Sequence, residues 1–254
     1  MHKGPFVLMS SHSDSAVEIQ RRYYTETAKR YDHMHAHEGS GDPSNLKYVT
    51  ALFQSAGVQS VLEVGCATGR ALRTLQNALP NSFVCGLEPV GALLREATKA
   101  GDHERISWIR GVGESLPFAD RSFDAVCEFS TLHHVPDPAP VVREMLRVAR
   151  KVVLIADSNR FGQGSMMARL IKFALYKTGL WRSYWLLRTR GKGYILDEGD
   201  GLAYSYSVYD SYDLVAQWAD RIVLVPANRG NAPSWFHPLL NRDAILLFAF
   251  NEAD

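Results

Sequence analysis

No apolar run in the chain approaches the ~20 residues that cross a bilayer, so no integral membrane segment is expected. Phe6-Val7-Leu8-Met9 is too short an apolar core for a secretory signal. Cysteine is scarce: only Cys66, Cys85 and Cys127, each in or beside an apolar run. An odd number of core cysteines reads as reduced thiols in a cytoplasmic protein, which excludes a disulfide scaffold. Net charge is only +1, so no global field draws the chain to nucleic acid or to an anionic membrane, and no nucleic-acid partner is expected. Repeats and low-complexity tracts are lacking too. At 254 residues, one α/β domain is the simplest organisation. Residues 1–14 are polar and patternless and read as a flexible tail, leaving a single domain over 15–254.

What is present centres on Val61-Leu62-Glu63-Val64-Gly65-Cys66-Ala67-Thr68-Gly69. An apolar run fit for a buried parallel strand breaks into two glycines, and helical spacing follows from Arg70 to Leu79. Strand, glycine turn and helix form a nucleotide-binding start, because a residue without Cβ lets backbone approach a ligand closely. The turn lacks the G-x-G-x-x-G spacing of a dinucleotide site and the lysine of a P-loop.

Glu63-x-Gly65-x-x-x-Gly69 resembles the first motif of the class I S-adenosylmethionine (SAM) methyltransferases, of the small-molecule, type 11-like kind. Three further segments match in order: Val84-Cys85-Gly86-Leu87-Glu88-Pro89, Gly111 to Asp124, and Thr131-Leu132-His133-His134-Val135-Pro136-Asp137. The resemblance runs from about Tyr23 to Asp157. It implies a Rossmann-like, seven-stranded, mostly parallel sheet with helices on both faces, and SAM as cofactor. Here the chain adds a lid insert, 159–206, after the fifth strand.

The resemblance also implies site residues. Glu63, Gly65, Cys66, Ala67 and Gly69 hold the amino-acid part of SAM. Glu88, followed by Pro89, accepts from the ribose diol, since a carboxylate at a second strand's end suits two hydroxyl donors; it also suits the N-terminus of the helix beyond. Relatives carry an aspartate for adenine where Val112 stands, so backbone of Gly113 and Glu114, or another acid, is left to hold that edge. Ser130, His133 and His134 follow the fourth strand, at the edge where ligands bind. Methyl transfer needs a base only if the acceptor sheds a proton, and histidine suits that near neutral pH. The base set is His133, His134 and Asp157, with His133 the favoured member.

Before the sheet, an N-terminal cap helix (15–40) carries Tyr24 and Tyr31, which either close over SAM or pack the helix on the domain. His33, His35, His37 and Glu38 precede Gly39, Ser40, Gly41 and Pro43 and read as loop, so no metal is expected. Tyr48 to Ala56 reads as a helix stopped by Gly57.

Within the insert, Arg169 to Trp185 reads as helix interrupted at Gly179. Residues 191–194 and 198–201 read as turns. Its aromatics, methionines and arginines fit a lid over a ring-bearing acceptor, or equally a dimer or membrane-surface face. Val208 to Ala219 reads as a last helix, and Arg221 to Pro226 with Ala244 to Asn251 as closing antiparallel strands. The loop 228–238, with Trp235, Phe236 and His237, reads as a further wall of the acceptor pocket.

The leading expectation is a SAM-dependent methyltransferase acting on a hydroxyl of a small sugar-containing or aromatic molecule, with a homo-oligomer open. A C-methyltransferase on a lipid or quinone ring is the first rival, favoured if the insert's apolar face is exposed. A non-catalytic SAM-binding protein is the second, motivated by Val112 alone.

Overall fold

A computed structural model describes residues 15–35, 43–99, 105–227 and 242–252. The tail 1–14, the residues His37 and Glu38, and the loop 228–238 lie outside these. Ser15 starts the first helix, α1 (Ala16–Thr27): its hydroxyl accepts from Glu18 N, and the Glu18 carboxylate accepts from Ser15 N at 2.7 Å. A 3₁₀ turn leads to α2 (Tyr31–Met34), so His33 is helical rather than loop. The next helix, α3 (Pro43–Ser55), starts earlier than Tyr48, and Gly57 ends the segment at φ +59°.

Alternating strands and helices follow: β1 (Ser60–Val64), α4 (Arg70–Ala78), β2 (Phe83–Glu88), α5 (Gly91–Thr98), β3 (Ile106–Arg110), β4 (Phe123–Phe129), α6 (Pro138–Val148) and β5 (Ala149–Ser158). After them come α7 (Met166–Lys177), α8 (Trp181–Arg188), β6 (Tyr194–Asp197), β7 (Gly201–Tyr204), α9 (Tyr212–Ala216), β8 (Arg221–Ala227) and β9 (Ala244–Phe250).

Seven strands form one sheet in the order β3-β2-β1-β4-β5-β9-β8. The first five run parallel, while β9 pairs antiparallel with both β5 and β8. Strand periodicity builds a core on each face. Val61 packs with Val49, Phe53, Leu72 and Leu75 of α3 and α4. Leu62 and Val64 pack on the other face with Val141 and Met145 of α6 and Val215 of α9. The expected Rossmann-like sheet, mostly parallel with helices on both faces, is therefore the observed one.

Two local expectations differ. Val208 to Ala219 is a 3₁₀ turn (Val208–Ser211), at whose start Asp210 accepts from Ser207 N at 3.0 Å, and the short α9. In the insert, residues 198–200 do form a turn, but it joins an unexpected β-hairpin, β6 and β7, paired from Tyr194↔Tyr204 to Asp197↔Gly201. Its strands are four residues long, too short for a period to show in sequence. Gly179, at φ +73°, does separate α7 from α8.

Candidate active site

The parallel strands deliver their carboxyl ends to one edge, where ligands of such sheets bind. Two cavities meet there. The smaller, about 150 Å³, is lined by Glu88, Pro89, Leu93, Val112, Gly113 and Glu114 among others. The larger, about 1040 Å³, extends from Glu63 and Thr68 past His133 and Asp157 to Arg160 and Trp181. Tyr31, Gly65, Ala67, Phe129 and Ser130 border both, so the glycine turn is the junction. Of the residues expected at the cofactor, Tyr24, Glu88, Pro89, Gly113 and Glu114 line the small cavity, and Glu63 and Cys66 line the large one. Gly69 lines neither. At φ +79° it caps α4, and a Cβ there would lie 2.7 Å from Trp108 Cζ3 and closer still to Cη2, so this glycine serves packing.

The junction is built from strained backbone. Ala67 (φ 48°) and Ser130 (φ 57°) are two of the four non-glycine residues with left-handed backbone among the described residues. Glu88 holds the turn in place: one oxygen accepts from Ala67 N at 3.0 Å and the other from Val90 N at 2.8 Å. It thus serves the helix N-terminus as well as facing the cavity. A carboxylate has about four acceptor sites, so two remain for a ligand. Burial pushes its carboxyl up to about 7 against those two bonds. Glu63 is buried, and its Oε2 has no partner. Burial, then the nearby Glu88 charge, holds its carboxyl well above the usual range.

Beyond the junction, His133 joins two acids. Its Nδ1 lies 2.7 Å from Asp157 Oδ1, and its Nε2 lies 3.0 Å from Asp200 Oδ2. Burial pulls its pKa down, but the Asp157 and Asp200 carboxylates outweigh this and hold it well above the ordinary histidine value. With an acceptor on each nitrogen, the ring is an imidazolium. Asp157 also receives His133 N and Ser158 N, and despite burial the imidazolium holds it below the usual range.

His134 has another role. Its Nδ1 is 2.7 Å from the Leu202 carbonyl, so that nitrogen carries the proton, and Nε2 accepts from the Tyr24 hydroxyl at 2.9 Å. His133 and Asp157 line the large cavity and His134 the small one, so the adjacent histidines divide between them.

Asp200, which sequence reading missed, is the centre of this arrangement. It sits between β6 and β7 and faces His133, His134 at 3.3 Å and His35 at 3.5 Å. Burial raises its carboxyl, but the histidines that face it, His133 first, hold it far below the carboxylate range. Its only sequence signal was an acid between two glycines, the mark of a turn.

The hairpin is fastened to α1 as well. Tyr23 donates to Glu198 O at 2.8 Å, and Gln20 Oε1 accepts from Leu202 N at 2.6 Å. Gly201 is required there, since a Cβ would come within 2.8 Å of the Tyr23 ring. Cap helix and hairpin therefore close the site jointly. His133, His134 and Asp200 also stand near enough to share a cation. As placed, the Tyr24 proton occupies the His134 lone pair that such an ion would need.

Sheet order, glycine turn and paired cavities define a class I methyltransferase fold. Residues 62–155 match the model of the methyltransferase domain family. The chain is 31% identical over 144 residues to a demethylmenaquinone methyltransferase of Roseiflexus sp. (strain RS-1), covering 56% of this chain and 60% of that protein. It is 32% identical over 117 residues to a phthiotriol/phenolphthiotriol dimycocerosates methyltransferase of Mycobacterium tuberculosis, covering 44% and 43%. The chain thus spans about half the length of these curated relatives. The magnesium protoporphyrin IX methyltransferase of Synechocystis PCC 6803, solved with bound SAM, shares the fold. The TM-score is 0.61 at 12% identity, over 96% of this chain and all of that one.

Proposed function

We propose that the chain is a SAM-dependent methyltransferase acting on a small molecule that gives up a proton to His133. The observation that carries this is the pair of cavities joined at the glycine turn, one fitted to a nucleoside and the other holding a histidine–carboxylate pair. The residues present fit SAM. The orphan Glu63 oxygen suits an amino group, Gly65 leaves a cradle that a Cβ would fill, and Glu88 keeps two acceptor sites for a diol. Glu114 shares the small cavity with Val112 and supplies an acid where Val112 cannot.

Bound SAM supplies a methyl group on a sulfonium, already activated for in-line displacement. Positioning then provides much of the rate. Tyr31, Phe129 and Ser130 border both cavities and would set the approach. An acceptor hydroxyl reaches His133 Nε2 only by replacing Asp200. That replacement removes one of the two carboxylates that keep the ring protonated, so the Nε2 proton passes to solvent and leaves a neutral ring with its lone pair toward the acceptor. Asp157 stays on Nδ1, fixes the tautomer, and balances the charge as Nε2 takes the acceptor proton.

Calorimetric titration tests the cofactor class. S-adenosylhomocysteine should bind in the micromolar range and NAD not at all; the reverse would sink the proposal. The pH dependence is a sharper expectation. Ribose hydroxyls donate to the charged form of Glu88, whose carboxyl stands at about 7. Affinity should therefore rise up to about tenfold per pH unit below 7 and level off above it. Glu63, raised in the same direction, reinforces this sign. Glu88→Gln should weaken binding roughly ten- to a hundredfold and flatten the profile. A wild-type affinity independent of pH from 5.5 to 8.5 would place the diol elsewhere.

A second reading, methylation of a ring carbon in a lipid or quinone, is favoured by one observation: the apolar face of the insert is exposed. The relatives' names, a menaquinone and a lipid methyltransferase, point the same way. Cofactor binding without turnover on any acceptor would instead support a non-catalytic SAM-binding protein.

A further inference from the structure

Twelve of the sixteen large apolar side chains exposed among the described residues lie between Met166 and Leu196. In α7, twelve residues long, no residue is buried, although Met167, Leu170, Ile171 and Phe173 are apolar. Leu187 of α8 is 81% exposed and Met167 66%. A water-facing helix does not keep such a face uncovered without a partner. Charge indicates what covers it. From residue 158 to 196 there is no acidic residue and there are eight basic ones, in a chain of net charge +1. Five of them, Lys177, Arg182, Arg188, Arg190 and Lys192, are exposed. Lys177 lies along Phe173, its Nζ 5.7 Å from the ring, the arrangement of a cation over an apolar body at an interface.

We infer that α7 and α8 form a docking face for an anionic lipid bilayer. Apolar side chains enter the headgroup boundary while the exposed cations meet lipid phosphates. A second copy of the chain is the poorer occupant, because a two-fold interface would set this uniformly basic surface against itself. The face adjoins the large cavity, whose wall includes Lys172, Trp181, Trp185 and Ile195 from the same insert. Docking would therefore open the site toward the membrane, and a membrane-borne acceptor could enter without crossing water. Docking rests on this face alone. Only the delivery of an acceptor rests on the methyltransfer reading.

Vesicle sedimentation tests docking without turnover. Phosphatidylglycerol vesicles should capture the full-length chain at low salt at least tenfold better than phosphatidylcholine vesicles. Raising ionic strength to about 0.5 M should release it. The double variant Met167→Glu, Leu187→Glu should lose at least tenfold of the capture while keeping wild-type circular dichroism and S-adenosylhomocysteine affinity. Three results would overturn the inference: no capture or equal capture by the two lipids, capture unaffected by the double variant, or light scattering that shows a dimer which the double variant dissociates. Should S-adenosylhomocysteine fail to bind the wild type while vesicles still capture it, the docking face stands and the methyltransfer reading falls.

Discussion

Gly65→Val should abolish cofactor binding, weakening S-adenosylhomocysteine by at least about a hundredfold, or ~2.7 kcal/mol. Two effects coincide at this residue. Its φ of +76° is left-handed, which costs a residue bearing Cβ about 1–2 kcal/mol. Any Cβ would also lie 2.5 Å from Thr131 Cγ2, and closer still to the hydroxyl oxygen. Thr131 has nowhere to withdraw, because its N–H is fixed on the buried Glu128 at 2.9 Å and its hydroxyl on the Gly65 carbonyl at 3.4 Å. The turn itself must shift, and it borders both cavities. Gly57→Ala separates the two effects. That glycine is also left-handed, at +59°, but a Cβ there meets nothing within 4 Å. It should lower the melting temperature by a few degrees and leave cofactor affinity unchanged. Intact affinity in Gly65→Val would remove the cofactor from this turn.

The same turn shows why much of the fold was legible in the sequence. Val61 to Val64 is an apolar run because β1 is covered on both faces, and its neighbours β2 and β4 bear the same mark. Glu88 and Asp157 could be placed because each closes a strand, and a strand end in a parallel sheet falls at the ligand edge. Asp200 could not. It lies 67 residues from His133, and the contact exists only because a short hairpin docks on α1. No local pattern encodes such a docking. Buried Glu128 was missed for a related reason: it pins Thr131 N and Ala156 N between two strands, and a single acid in an apolar run does not reveal its partners. The insert's helices were legible and its exposed face was not, since apolar periodicity says a face wants cover without saying whether the chain provides it.

His133→Ala should lower turnover by about 10²- to 10⁴-fold, the usual worth of a general base, with cofactor affinity changed less than about twofold. The division follows from position, since His133 lines the large cavity and the glycine turn and Glu88 hold the cofactor side. His133→Gln retains the bulk and one hydrogen bond, so equal losses in both variants would assign the effect to proton transfer rather than packing.

The flanking acids can be told apart by pH. Each carboxylate raises the pKa of His133, so removing either should move the acid limb of the turnover profile to lower pH. Asp157→Asn should also cost turnover, because an amide no longer fixes the Nδ1–H tautomer or balances the new charge. Asp200→Asn should shift the limb with little loss, because Asp200 occupies the position that the acceptor must take. Unchanged turnover in His133→Ala would leave positioning as the whole mechanism and make the His133–Asp157–Asp200 chain a latch between hairpin and sheet. A loss in His133→Ala together with an Asp200→Asn profile identical to wild type would keep the base and show that the hairpin has already lifted in the reacting complex.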